Sequence, residues 1–236
     1  MGMDGLGTTI FGAGAGAPSV TITPPYIIIG SDTYGPGNAL VAIPPTSGSW
    51  TALGSPTLTG GGTVPLLLSM PSSGGSDSQG VILQSLPSAP WTVTAQISAI
   101  IPTTGVSAAR WGIMLRNSGS AAMTDLVAAV ASTSSVPQIM SLKWSALNTF
   151  STYYVGSGNA TGPFTLPLQN LFLKIVDDAT NRLLYFSADG VNYQLVFSVG
   201  DTDFITPNQA GVCLDTLTSP ITKITILSFN IQSGVH

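Results

Sequence analysis

From Trp50 to the C-terminus the chain is written in short apolar runs of period two, broken every few residues by Gly, Pro, Ser or Asn, a pattern that admits little besides β-structure. In "WTVTAQISAI" the alternation places Trp91, Val93, Ala95 and Ile97 on one face and Thr92, Thr94, Gln96 and Ser98 on the other, as in a strand with one buried face. "RWGIMLRNS" is apolar on both sides near its centre, as expected of a central strand between packed layers. "IMSLKWSAL" and "STYYVG" follow, with "NTF" read as the tight connection. "LFLKIV", "RLLYFS" and "VNYQLVFSV", joined by "DDATN" and "ADG", form a meander. Asp-Gly suits the second of these turns, because Gly190 can adopt positive φ and the Asp189 carboxylate can bond back to the local backbone. Asp189 is therefore read as a corner, not a catalyst. "SPITKITILSFNI" supplies a closing strand beside an early one, as a jelly roll requires. "SAAMTDLVAAVAS" is the one stretch whose composition permits a helix, and strand with a loop is the favoured reading.

Residues 1–48 are different. Gly, Ala, Pro and Thr dominate, and "FGAGAGAP", "TPPY" and "IPPTSGS" repeat the breakers, so this stretch buries too little apolar area to offset its chain entropy alone. It reads as a docking arm, with residues 49–236 as the β-sandwich. Within the arm Tyr26, Ile27, Ile28 and Ile29 are the expected assembly contacts, adding with "VTIT" as strands to a neighbour's sheet edge.

Charge is scarce. Asp, Glu, Lys and Arg make up 7% of the chain, against about 25% in an ordinary soluble domain, while 44% is hydrophobic and the mean hydropathy is +0.41. Part of the exterior is therefore expected to be covered by other copies, in a homo-oligomer. The longest aliphatic runs, "YIIIG" and "VPLLLSM", fall far short of the roughly 18 residues a membrane helix needs. The N-terminus lacks the basic region and apolar core of a secretory signal, so neither export by that route nor membrane insertion is expected. The single cysteine, Cys213, excludes an internal disulfide and reads as a small buried hydrophobe. Six scattered basic residues and a net charge of −4 offer no patch for a nucleic acid.

The succession "SDSQGVILQSLPSAPWTVTAQIS", "WGIMLRNS", "LKWSA" and "LFLKIVDDATNRLLYFSADGVNYQLV" resembles the concanavalin A-like lectin/glucanase superfamily over residues 50–236. That resemblance implies an all-β jelly-roll sandwich, in a superfamily that includes lectins, modules appended to glycosidases, glucanases and bacteriophage virion proteins. The superfamily's glucanases carry paired catalytic glutamates, and this chain contains no glutamate. Of the aspartate pairs that could substitute, Asp177/Asp178 falls at a predicted hairpin tip, where solvent should leave the carboxyls ordinary. Asp201/Asp203 in "GDTDF" could offer oxygens to Ca²⁺ but reads more simply as a loop. The one histidine, His236, is the last residue and supports no triad. No catalytic residue, metal site or cofactor is expected.

For glycan adhesion "KWSALNTFSTYY" offers Trp144, Asn148, Tyr153 and Tyr154, aromatics to stack on sugar faces beside an amide. The leading expectation is a non-enzymatic virion structural protein, a phage decoration or fibre subunit. It would dock through its arm onto other virion proteins, associate with its own copies, commonly as a trimer, and present the sandwich to a host-surface glycan. The alternatives are a carbohydrate-binding module or adhesin and, behind it, an Asp-based glycosidase.

Overall fold

In the computed structural model the described residues are 21–23, 26–28, 45, 46, 48, 50–71, 77–99, 109–131, 134–155, 170–217 and 223–236. The chain divides into two units, Met1–Val41 and Ala42–His236. In the first, β1 (Thr21–Thr23) pairs antiparallel with β2 (Tyr26–Ile28). Tyr26, Ile27 and Ile28 thus have a strand partner in their own chain, and Ile29 lies outside the described residues.

The second unit is a β-sandwich of fourteen strands with no α-helix among the described residues. One sheet has the order β11-β10-β9-β8-β15-β6-β3, formed by Thr149–Val155, Ser134–Ala146, Met123–Ala131, Ala109–Arg116, Gln209–Asp215, Gln79–Ser85 and Thr51–Leu53. The other has the order β14-β13-β12-β7-β16-β5-β4, formed by Gln194–Gly200, Asn181–Ser187, Leu171–Asp177, Trp91–Ala99, Lys223–Ser233, Val64–Ser69 and Thr57–Gly61. Every pairing is antiparallel, and the chain crosses between sheets at β3–β4, β5–β6, β6–β7, β7–β8, β11–β12, β14–β15 and β15–β16, a jelly-roll arrangement.

The inner faces follow the sequence alternation. Trp91, Val93, Ala95 and Ile97 of β7 meet Trp111, Ile113 and Leu115 of β8 in one core, joined by Leu173 and Ile175 of β12 and Val212 of β15. Each fully buried aliphatic side chain contributes about 1.5–3 kcal/mol. "SAAMTDLVAAVAS" contributes β9, a strand: the strands on either side satisfy its backbone, while Leu126, Ala128 and Val130 are buried in the core between the sheets and Met123 and Val127 in an apolar cluster on the opposite face. β16 lies between β5 and β7, as a jelly roll demands.

β8 is apolar on both sides for a second reason. On the face turned away from the other sheet, Met114 packs with Val81, Leu83, Met123, Val127, Leu142, Trp144 and Cys213 in a separate apolar cluster. The β10–β11 hairpin arches across this face. Its tip, one residue earlier than "NTF" suggests, is Leu147–Asn148, where Asn148 takes the left-handed conformation (φ 61°) that asparagine tolerates. The tip bonds to β6, although three strands separate β6 from β10: Gln79 N–H donates to Asn148 Oδ1 (2.8 Å) and Asn148 N–H to Gln79 Oε1 (3.2 Å). Cys213 is buried beneath, its thiol pushed well up by burial.

Candidate functional site

The four residues that the sequence groups as a glycan site are divided by this arrangement. Trp144 is wholly enclosed (0% exposed) and its indole N–H donates to Asp125 Oδ2 (2.8 Å), so it has no free face on which a sugar could stack. Asn148 is committed to Gln79. Tyr153 packs against Phe150 (4.8 Å between rings) and the apolar cluster. Tyr154, one residue on, packs against Phe197 of the other sheet, and its hydroxyl donates to Asp203 O (3.0 Å). Strand alternation alone separates the two tyrosines. Phe150, 39% exposed, is the aromatic left open on this hairpin.

Under the hairpin Asp125 is fully buried. Leu142 N–H and the Trp144 indole each donate to one of its oxygens at 2.8 Å, but burial outweighs both and pushes the carboxyl up to about 7. The folded chain therefore holds this proton well above the ordinary carboxylate value of 3.8. Its contribution to stability is complete below pH 4, falls as the pH rises toward 7, and is flat beyond. At about 1.4 kcal/mol per unit the wild type is expected to lose roughly 4 kcal/mol relative to Asp125→Asn between pH 4 and pH 8. Urea titrations of both proteins across that range measure this, and parallel curves would refute it.

The Asp177/Asp178 tip also departs from expectation. Asp177 is buried, not in solvent, and burial raises its carboxyl above the ordinary range despite Arg182 alongside (Nε to Oδ2 4.0 Å). Arg182, itself buried and its pKa lowered by burial, donates to the carbonyls of Asp201 and Ile205. The 201–208 loop bonds to Arg182 at this end of the sandwich, so Asp177 sits inside the wall, while Asp178 stays half-buried in the turn and accepts from the N–H groups of Thr180 and Asn181. Asp203 of that loop is held by Lys143 Nζ (3.0 Å). Near the other end Arg110 joins Asp77 (3.0 Å) and Asp215 (2.8 Å) and stands over the Trp144 ring (5.6 Å). Asp215 also accepts from the backbone N–H of Ser78, so the triad is fully engaged internally. Among the described residues no group of three His, Cys, Asp or Glu side chains could hold a metal ion.

An open arrangement exists on the outer face of the second sheet. Inward-facing Leu173 and Ile175 of β12 turn Lys174 outward, and the register sets it between Thr94 of β7 and Tyr185 of β13. Asn230 of β16 lies opposite Thr94, so one row reads Asn230, Thr94, Lys174, Tyr185 and Leu195. In the adjoining row Gln96 lies opposite Phe172. No internal side-chain hydrogen bond engages Thr94, Gln96 or Asn230 among the described residues.

The Asp189-Gly190 corner completes this face. Asp189 Oδ1 accepts from the N–H groups of Val191 and Asn192 (2.8 Å each) and from Ser187 Oγ, and Oδ2 accepts from Asn192 Nδ2 (2.7 Å). These bonds, the Asn192 backbone foremost, hold the carboxyl well below the ordinary range. Gly190 has φ 75°, and a β-carbon there would stand 2.8 Å from the Phe172 ring. Only glycine lets the loop descend onto Phe172, and the descent carries Tyr193 to Lys174, whose ammonium is 4.2 Å from the Tyr193 ring centre and 5.1 Å from that of Tyr185. Both tyrosines are half-buried, and burial, with Asp189 second, pushes the Tyr193 hydroxyl up to about 12. Sequence reasoning missed this group, although the signal was present: counting outward from the β12–β13 turn places Lys174 opposite Tyr185.

No protein-family model matches the chain, and no curated protein sequence matches it. Solved structures do. A functionally unknown protein from Saccharomyces cerevisiae is 12% identical with a TM-score of 0.57, over 80% of this chain and 98% of that one. A legume lectin-like domain from Entamoeba histolytica is 9% identical with a TM-score of 0.53, over 84% and 100%. A xylan β-1,4-xylosidase from Bacillus halodurans is 13% identical with a TM-score of 0.52, over 72% of this chain and 33% of that one, so the chain spans about a third of that enzyme's length. Together with the two-sheet topology, these likenesses identify the fold as a concanavalin A-like jelly-roll β-sandwich.

Proposed function

We propose that the protein is a non-enzymatic saccharide-binding sandwich whose binding surface is the outer face of the second sheet, around Tyr185 and Tyr193. The observation that carries this reading is the combination found there: two half-buried tyrosine rings next to side-chain hydroxyls and amides of Thr94, Gln96 and Asn230 that make no internal bonds among the described residues. A sugar ring presents an apolar C–H face and a rim of hydroxyls, and needs both kinds of partner at once. The lectin-like neighbour supports the reading by its fold. The opposite face of the sandwich is filled by the enclosed apolar cluster, which leaves little for a polar ligand. Of the carboxylates that could serve a glycosidase, those of Asp177, Asp178 and Asp203 are engaged by internal cations or backbone N–H groups, which supports a binding role over hydrolysis.

Binding of the full-length chain to an immobilised panel of plant and microbial oligosaccharides tests this. Tyr193→Ala is expected to weaken the best ligand at least tenfold, the loss of one central aromatic anchor, with the thermal transition unchanged. Phe150→Ala, on the other sheet, is expected to leave it alone. No binding to any saccharide, or loss only in Phe150→Ala, would overturn the proposal.

A virion subunit that docks through residues 1–48 is the second reading. It is favoured by the scarcity of charge and by Val191 and Leu195, 56% and 55% exposed on the β13–β14 hairpin at the sheet edge. A purified full-length chain that sediments as a monomer at micromolar concentration would count against it.

A further inference from the structure

The basic side chains of the described sandwich are nearly all answered by acceptors of the chain itself. Arg110 has Asp77 and Asp215, Arg116 has Gln209 Oε1 (2.7 Å), Arg182 gives Nη2 to two carbonyls and lies 4.0 Å from Asp177, and Lys143 has Asp203. Lys223 stands exposed at the start of its strand. Lys174 is the exception: it is half-buried, and among the described residues no oxygen hydrogen-bonds to its ammonium, whose contacts are the two tyrosine rings.

Lys143 shows what the complete arrangement looks like. Its ammonium lies 4.1 Å from the Tyr154 ring centre and 5.4 Å from that of Phe204, nearly the spacing that Lys174 keeps from Tyr193 and Tyr185, and Asp203 donates no proton there but supplies a carboxylate oxygen at 3.0 Å. Two aromatic faces hold the cation by their quadrupoles, and the anion takes the N–H groups that the rings cannot satisfy. At Lys174 the rings are present, and the described residues place no anion on the ammonium. Partial burial already costs this ammonium hydration and lowers its pKa, which makes a charged acceptor from outside worth more than at an open lysine.

We infer that Lys174 receives the carboxylate of an acidic saccharide, a uronic acid residue, whose ring lies against Tyr193 and whose hydroxyls reach Thr94 and Asn230. This rests on the saccharide-binding reading above and names its ligand class. The nearby negative charge, Asp189, does not contradict it, since all four of its hydrogen bonds run to groups of its own turn.

Calorimetric titration of the full-length chain with hexagalacturonate and with xylohexaose, at low and at high salt, decides the matter. Hexagalacturonate is expected to bind at least tenfold more tightly, the worth of one charge-assisted hydrogen bond, and the margin to shrink at high salt. Lys174→Gln is expected to abolish the preference and Lys174→Arg to retain part of it, with both variants keeping the wild-type thermal transition. Equal affinity for the two hexamers, or a preference that survives in Lys174→Gln, overturns the inference while leaving saccharide binding intact. Failure of both hexamers, and of the wider panel, sinks the saccharide reading itself.

Discussion

Gly211→Ala is expected to abolish folding. Gly211 is in the middle of β15, the strand flanked by β8 and β6, and a β-carbon built on it would stand 1.7 Å from the backbone oxygen of Ile82 and 2.8 Å from the Leu83 Cα. The obstacle is main chain, so no rotamer change relieves it; β6 and β15 would have to part, and the hydrogen bonds from Gln79 to Ser85 run along that seam. A cost above about 5 kcal/mol consumes the stability of a typical domain. Gly200→Ala is the control: its β-carbon meets nothing within 4 Å, and it should change stability by no more than about 0.5 kcal/mol. Circular dichroism and urea unfolding of the two variants measure the contrast, and a folded Gly211→Ala protein with a near wild-type midpoint would show that the β15–β6 seam is looser than described.

Trp144→Ala should be the next most damaging change, at about 5 kcal/mol, and damaging to stability before binding. Removing the indole leaves a cavity in the closed cluster, which costs about 3–5 kcal/mol for an aromatic, and strips Asp125 of one of its two donors. Because the loss falls partly on a buried carboxylate, it should be larger at pH 8 than at pH 5, where Asp125 is protonated and depends less on the donor. Trp144→Phe restores most of the volume without the N–H and should recover more stability at pH 5 than at pH 8. Denaturant titrations at the two pH values test this. If Trp144→Ala unfolded normally but lost a saccharide ligand, the indole would be a binding platform after all.

The strands were legible wherever two adjacent segments decide the outcome. The β12–β13–β14 meander, the buried face of β7 and the Asp189 corner follow from alternation and turn chemistry within about forty residues. What could not be read depends on partners far apart in sequence. The bond between Gln79 and Asn148 spans 69 positions and turns the β10–β11 hairpin from an open ribbon into a cover. Trp144 looks the same on paper whether exposed or enclosed, and it is Asp125, 19 positions away, that gives its polar edge a buried partner. Asp177 passed for a solvated tip because nothing local announces that the 201–208 loop will fold over Arg182. Lys174 was counted only as one of six scattered cations, since its distinction lies in what the fold withholds from it.

The loop at 188–193 is tied down by its own short bonds and by the stacking of Gly190 on Phe172, before anything approaches from outside. A visiting molecule would therefore meet a finished mould at this loop, so the entropy surrendered on contact with it is mostly the visitor's. Selectivity on such a surface comes from fit and charge at first touch, and a stiff, already extended oligomer gains more from it than a floppy one.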